Sequence, residues 1–367
     1  MKILILNQSA VRTLLPMRDC IELMADTLAA LARGETFQPL RTVIRLPDAK
    51  GLLGLMPGYL PTSLALGAKI LSIFHANHGT RYDSHQGAVL LFEGEHGSLQ
   101  AVLDATAVTA IRTAAVSGLA TRLLSREESS ELAILGAGVE AITHLEAVLA
   151  VRPIRRMRVW TRTAGHARDF AARAAARHGI QAVAAPSAEA AVRGADIVCT
   201  VTSAKEPVLQ GAWLTPGTHV NAVGSSIPTT RELDTEAVRR ARLFVDRRES
   251  TVNEAGDFLM PKKEGAVSDA HIVGEIGEIV AGKVPGRGTP DEITLFKSLG
   301  LAIEDVASAQ FAYRRALRTG VGVAVEFGGE KFGWPDDRPD GRPAGRANRQ
   351  PGRRATGKKP RTRRKKK

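Results

Sequence analysis

The chain has 367 residues and a formal net charge of +13, but residues 331–367 alone hold 15 Lys and Arg against 3 Asp, so the body of the chain is close to neutral. A strongly basic nucleic-acid-binding domain is thereby excluded, because a basic groove needs its charge on the folded part of the chain. Aromatic residues make up only 4% of a composition rich in Ala, Val and Leu, which suits helices packed on a sheet better than an all-β sandwich.

Along the chain, Met1 to Leu6 is too short for a secretory segment. Residues 17–33 place Ile21, Met24, Leu28 and Leu31 at helical spacing and stop at Gly34, which predicts an amphipathic helix with a glycine C-cap. Thr42 to Leu46 reads as a strand. The best apolar run, Leu52 to Ala68, is interrupted by Gly and Pro before the roughly 18 residues a membrane span needs. Ala88 to Glu93 and Ser98 to Asp104 predict a hairpin turning at 94–97, followed by an Ala-rich helix over 105–124 capped near Asp104 or Thr106. From Glu131 the pattern becomes strand, glycine turn, helix, repeated: strands over 132–135, 157–160, 195–201, 219–223 and 243–246 alternate with helices, which predicts parallel pairing in a Rossmann-type doubly wound α/β sheet. A last helix over 300–318, with Leu299, Ile303, Val306 and Gln310 on one stripe, returns to the first part of the chain. The expected division is a smaller α+β domain (1–118 with 301–330), the doubly wound α/β domain (119–300) and a disordered basic tail (334–367).

The strongest chemical signal is Gly136-Ala137-Gly138-Val139-Glu140-Ala141, directly between an apolar strand and a helix. Gly136 permits the tight turn, Gly138 lets the backbone approach a pyrophosphate, and the small Ala141 lets helix and strand pack. The second strand ends in Trp160-Thr161-Arg162-Thr163, with no acid to accept a ribose 2′-OH and one cation, which favours NADP with NAD possible. Thr200, Thr202, Gly224, Ser298 and Gly300 follow strands or sit in the late loop, where such folds meet the nicotinamide half. Lys69 and Arg112 lie in apolar stretches where an unpaired charge costs several kcal/mol, so a carboxylate must compensate them, supplied either by a ligand or by the protein's own Asp or Glu. Cys20 and Cys199 have no partner at disulfide or metal-ligand spacing, and His75, His78 and His85 match no metal signature, so no metal is expected and the setting is expected to be cytoplasmic.

Together Gly67-Ala68-Lys69, Ser84-His85-Gln86-Gly87, Ile111-Arg112-Thr113-Ala114-Ala115, Ile134 to Gly138, Asn221 to Ser226, Arg231-Glu232-Leu233-Asp234 and Phe296 to Gly300 resemble the ornithine cyclodeaminase and mu-crystallin family over roughly residues 1–320. The resemblance implies a homodimer in which residues 119–300 bind NAD or NADP and the smaller domain, 1–118 with 301–330, pairs subunits and holds substrate. It also implies that Arg45, Lys69 and Arg112 hold a substrate carboxylate, with Arg112 also near the cofactor and Lys69 a proton donor. The cyclodeaminases carry a catalytic Asp where this chain has Ser226, and an acid precedes their Leu-Met-Pro where this chain has Gly54. Mu-crystallin-like ketimine reductases also have Ser there and an Arg matching Arg162. The implied activity is therefore reduction of a small imino acid, with Ser226 orienting substrate or water; the alternatives are an ornithine cyclodeaminase and a cofactor-binding crystallin without turnover. The tail, ending Arg363-Arg364-Lys365-Lys366-Lys367, is either a solvated extension with incidental polyanion affinity or a nucleic-acid or membrane tether.

Overall fold

The computed structural model describes residues 1–48, 50–77 and 79–329; the expected basic tail, the side chain of His75 and all of His78 lie outside the described residues. Lys2–Phe327 form one compact unit. In chain order its elements are β1 (Lys2–Leu6), α1 (Gln8–Leu14), α2 (Met17–Ala32), β2 (Thr42–Arg45), β3 (Leu52–Leu60), β4 (Ala65–Ile73), β5 (His85–Glu93), β6 (Leu99–Asp104) and α3 (Ala105–Leu124). There follow β7 (Glu131–Leu135), α4 (Val139–Val151), β8 (Arg156–Trp160), α5 (Ala164–His178), β9 (Gln181–Ala184), α6 (Ala188–Val192), β10 (Ile197–Thr200), β11 (His219–Ala222) and α7 (Thr235–Arg240). The last are β12 (Arg242–Val245), α8 (Arg248–Glu254), α9 (Gly256–Lys263), β13 (Ile272–Glu275), α10 (Ile276–Val280), β14 (Thr294–Lys297), α11 (Ala302–Thr319) and β15 (Val323–Glu326).

The parallel sheet has the order β13-β12-β14-β11-β10-β7-β8-β9. The chain leaves β7 toward β8 and β9 on one side and resumes with β10 on the other, so the order reverses between β7 and β10. Ligands of such sheets bind beyond the carboxyl ends of the strands at that switch point. Leu132, Ile134, Val198 and Val220 are buried, as continuous apolar runs in strands covered on both faces should be.

The other sheet has the order β15-β1-β6-β5-β4-β3-β2, with β2 to β6 an antiparallel meander. Sequence reading found β2, β5 and β6 but neither β3 nor β4, because Gly54, Pro57 and Gly58 break the strand pattern. Pro57 is tolerated on physical grounds. Tyr59 N–H donates outward to Phe37 at 2.8 Å, and a residue two positions earlier points the same way, beyond the last residue of β3 that β2 pairs. Its missing donor therefore takes no bond from the ladder. One face of this sheet carries α11, which comes close because a Cβ on Gly58 or Gly67 would press on Ala302 or Val306. The other side leaves Phe37, Ile44, Leu53, Leu55 and Leu66 exposed.

Helix α3 starts as expected, with the Asp104 carboxylate accepting the Ala107 N–H at 2.7 Å. Its far end is held by the buried Arg152, whose Nη2 donates to the carbonyls of Thr121, Arg122 and Ser125 at 2.8–3.1 Å while Nε donates to Arg126 O and Ser125 Oγ at 2.8 Å. A cation at a helix C-terminus also meets the negative end of the helix dipole. Arg152→Met keeps the bulk and removes these donors. It should lower unfolding free energy by about 2 kcal/mol or more in urea denaturation, with the secondary structure by circular dichroism retained.

Candidate active site

The turn after β7 divides two glycine roles. Gly136 adopts φ +122, and a Cβ there would stand 2.6 Å from the Val201 carbonyl oxygen, so the fold itself requires glycine. Gly138, the N-cap of α4, has an ordinary φ of −88, and a Cβ on it would meet nothing within 4 Å. The fold does not need its bareness. It leaves the N-terminus of a 13-residue helix open to an anion, with Val139 exposed and Ala141 buried beneath, and these residues fit a dinucleotide pyrophosphate. Beyond β8, Thr161 is half-buried and Arg162 exposed, and no carboxylate stands among 161–163.

Beside this turn lies a buried ion cluster. Lys69 on β4 is 2% exposed and Arg112 on α3 is 4% exposed. Of the two compensations considered from sequence, the structure shows carboxylates of the protein, both supplied by α11. Asp305 stands 2.8 Å from Lys69 Nζ and accepts Arg112 Nε at 2.9 Å, and Glu304 accepts Arg112 Nη1 at 2.9 Å. Lys69 Nζ also donates to Thr109 Oγ1 at 3.3 Å, one helical turn before Arg112. Burial, with Arg112 next in effect, brings the Lys69 ammonium down to about 8 despite the pull of Asp305. Burial pushes Glu304 up to about 7 against the opposing field of Arg112. Burial also opposes the charge of Asp305, but Arg112 and Lys69 together hold its carboxyl below the usual range. Glu140, in the first turn of α4, feels the same two cations; its enclosed Oε2 makes burial the larger influence, and its carboxyl is raised although 31% of the side chain stays exposed. The Nη end of Arg112 lies over Gly300, where a Cβ would fall 2.3 Å from Nη1.

A second buried network shapes the ends of β10, β11 and β14. Glu232 accepts Thr200 Oγ1 at 2.8 Å, and Thr202 N, Thr202 Oγ1 and Gly224 N each at 2.7 Å. Asp257 accepts the N–H groups of Glu232 and Leu233 at 2.8 and 3.1 Å, and Lys297 Nζ joins Asp257 at 2.9 Å and the carbonyl of Ser225 at 2.6 Å. The hydroxyls of Thr200 and Thr202, read from sequence as facing the cofactor, are thus engaged by Glu232. Ser298 donates its N–H to Ala222 O at 3.0 Å, and Gly300 N–H donates to Asp246 at 2.8 Å. Ser226 is half-buried, and its hydroxyl has no hydrogen-bond partner among the described residues.

Of the residues expected to hold a carboxylate, Lys69 and Arg112 meet and Arg45 does not. Arg45 is exposed on the outermost strand, β2. Arg41, four residues earlier, bonds through Nη2 to the carbonyls of Leu299 and Gly300 at 2.9 and 3.0 Å, pairs with Glu254 at 3.0 Å, and lowers Lys69 through its field. It lines a small recess with Met56, Arg247, Glu254 and Gly300. Sequence reading missed Arg41, Glu140, Asp246, Asp257, Lys297, Glu304 and Asp305. A usable signal was present for the last pair, two adjacent acids set between the apolar Ile303 and Val306.

The two glycines should separate in experiment. Gly136→Ala should destabilise the fold. Gly138→Val should leave the melting temperature near wild type but weaken NADPH binding, followed by fluorescence titration, by tenfold or more, since side-chain bulk would stand where the anion approaches. Normal affinity in Gly138→Val would remove the turn from the site.

The profile of the ornithine cyclodeaminase/mu-crystallin family matches residues 1–320. The ketimine reductase mu-crystallin of Mus musculus is 43% identical over 280 residues, 76% of this chain and 85% of the relative. The structure of Thermococcus litoralis Δ1-pyrroline-2-carboxylate reductase in complex with NADH and L-proline superimposes with a TM-score of 0.86 at 40% identity, covering 88% of this chain and 99% of the other. An archaeal alanine dehydrogenase dimer with bound NAD gives a TM-score of 0.84 at 32% identity, covering 89% and 100%.

Proposed function

The chain belongs to the ornithine cyclodeaminase/mu-crystallin family, and from that premise we propose that it is an NAD(P)H-dependent reductase that delivers hydride to the C=N carbon of a small imino acid, next to its carboxylate. The observation that carries this reading is the pair of buried cations, Lys69 and Arg112, set beside an open helix N-terminus at the switch point of the parallel sheet. Binding of a dinucleotide alone calls for no such cations. The mouse relative is named a ketimine reductase and the Thermococcus structure a pyrroline-2-carboxylate reductase, both imine reducers. An exposed Arg162 with no neighbouring acid supports NADP as the cofactor, with NAD the alternative. The nicotinamide supplies the hydride when bound.

The chain's own residues supply position and protons. Arg112 and Lys69 orient the substrate carboxylate by charge-assisted hydrogen bonds, and Arg41 rather than Arg45 is the third cation, because it is the one whose field reaches Lys69. Lys69, brought down to about 8, is charged at neutral pH yet acidic enough to give a proton to the nitrogen of the reduced imine. Ser226, with a free hydroxyl after β11, orients substrate or water. Gly136, Gly138 and Val139, with the small Ala141 packed beneath them, would hold the pyrophosphate, Thr161 and Arg162 the adenosine ribose, and the backbone around Thr200, Thr202, Gly224, Ser298 and Gly300 the nicotinamide half. Residues 1–118 with 301–330 form the substrate and dimerisation domain, and 119–300 the dinucleotide-binding domain. A homodimer would cover the exposed Phe37, Ile44, Leu53, Leu55 and Leu66. The free, buried Cys20 and Cys199 suit a reducing cytoplasm. Cyclodeamination is the less favoured reading, since Gly54 and Ser226 stand where that chemistry has carboxylates.

The test follows NADPH and NADH absorbance with a panel of cyclic and acyclic imino acids, with ornithine and catalytic NAD assayed in parallel for proline and ammonia. Stoichiometric cofactor loss with an imine is expected; proline and ammonia without net cofactor change would overturn the reductase in favour of the cyclodeaminase. Because Lys69 gives its proton only while charged, kcat for reduction should fall as pH rises through about 8, and amino-acid oxidation should rise over the same range. Lys69→Met should lower kcat about 100-fold or more and abolish that limb while NADPH affinity holds. An unchanged kcat would remove Lys69 from proton transfer.

A further inference from the structure

We propose that Glu304 is a positioning residue that surrenders Arg112 to the substrate carboxylate by taking up a proton from solvent, so that substrate binding and proton uptake are one event. This rests on the carboxylate site proposed above.

The guanidinium of Arg112 offers a carboxylate two forks, Nε with Nη2 and Nη1 with Nη2. One arm of each is taken: Nε by Asp305 and Nη1 by Glu304, both at 2.9 Å, whereas Nη2 has no hydrogen bond among the described residues. A two-pronged grip on a ligand therefore requires one protein carboxylate to let go. Asp305 is the worse candidate, because it lies on two cations at once, with Lys69 at 2.8 Å as well as Arg112. Glu304 has a single cation, a backbone bond from Leu301 N–H at 3.1 Å to the same oxygen, and an Oε1 that is buried without a partner.

Charge counting points the same way. Lys69 and Arg112 against Glu304 and Asp305 make a neutral buried set. An entering carboxylate would leave it with an uncompensated negative charge in a site screened from water, and protonating one acid restores neutrality. The groups facing Glu304 are Arg112 on α3, Asp305 on its own helix, Asp246 after β12, and Cys20 on α2, with Lys69 beyond Asp305 on β4. Arg112 opposes protonation, while Asp246 and Asp305 favour it. Once the ligand takes over Arg112, the opposing influence weakens and the two acids remain.

The experiment titrates the full-length enzyme, saturated with NADPH, with pyrrole-2-carboxylate, a planar carboxylate whose ring offers no imine carbon to hydride. Calorimetry at pH 8 in phosphate and in Tris gives the protons exchanged. Wild type should take up about one proton, and its Kd should rise about tenfold from pH 8 to pH 9. Glu304→Gln should take up only the fraction of a proton that Lys69, brought down to about 8, regains beside the ligand carboxylate, and its Kd should rise less steeply over the same range. Binding by wild type without uptake would overturn the inference and leave the carboxylate site standing, whereas failure to bind at all would remove that site and the inference with it. Uptake that is undiminished in Glu304→Gln, or vanishes in Glu140→Gln instead, would assign the proton elsewhere and equally overturn it. Should Glu304→Gln fail to fold, wild type alone decides through difference infrared spectroscopy: a protonated carboxyl band must appear on adding the ligand, and its absence counts against Glu304.

Discussion

Two cations placed on different elements, Lys69 on β4 and Arg112 on α3, are made affordable by two adjacent acids on α11. Removing either partner of a buried pair costs about 3–5 kcal/mol, so the helix that brings Glu304 and Asp305 is as much a part of the site as the strand that brings Lys69. Its approach depends on residues with no chemistry of their own, Gly58 and Gly67, which let it settle against the sheet. Just before the helix, Asp246 holds Gly300 by its N–H, and Gly300 supports the guanidinium of Arg112. The parallel sheet, through the loop after β14, and the antiparallel sheet, through β4, thus bear on one point.

The remaining buried polar groups shape the site without entering the chemistry. Glu232 collects donors from the ends of β10 and β11, and Asp257 ties the backbone of Glu232 to Lys297 at the end of β14. Each buried charge has a partner or several donors, as low dielectric demands. The hydroxyls of Thr200 and Thr202 donate to Glu232, which also accepts the N–H groups of Thr202 and Gly224 and so braces the backbone there.

Five strands of the parallel sheet, β7, β8, β10, β11 and β12, were readable in the sequence because their signals are local, whereas the four-residue β9, β13 and β14 were not. A strand, a glycine turn and a helix start fall within about ten residues around Gly136, and periodicity does the rest. The antiparallel sheet was half hidden, since β3 carries Gly54, Pro57 and Gly58 where an alternating pattern is looked for, and its legality depends on which edge Pro57 faces. In the site, Lys69 and Arg112 stood out as charges in apolar stretches. Their partners carried only the mark of two adjacent acids between Ile303 and Val306, and with Asp305 193 positions from Arg112 nothing local shows which cations they meet. Arg41 and Arg45 look alike in sequence for a similar reason: one precedes β2 and the other ends it, and only the position of the Leu299 and Gly300 carbonyls, which Arg41 reaches, distinguishes them.

The pairing of β15 with β1 joins residues 323–326 to residues 2–5. This gives the molecule a temporal order during synthesis. β7 to β14 are complete once residue 297 has emerged, whereas the N-terminal sheet lacks both a strand and its covering helix until residue 326 is made. For most of that interval Lys69 and Arg112 have been translated and their carboxylates have not. The early segment must keep these cations in water, and so its sheet open, until the end of the chain arrives to close it.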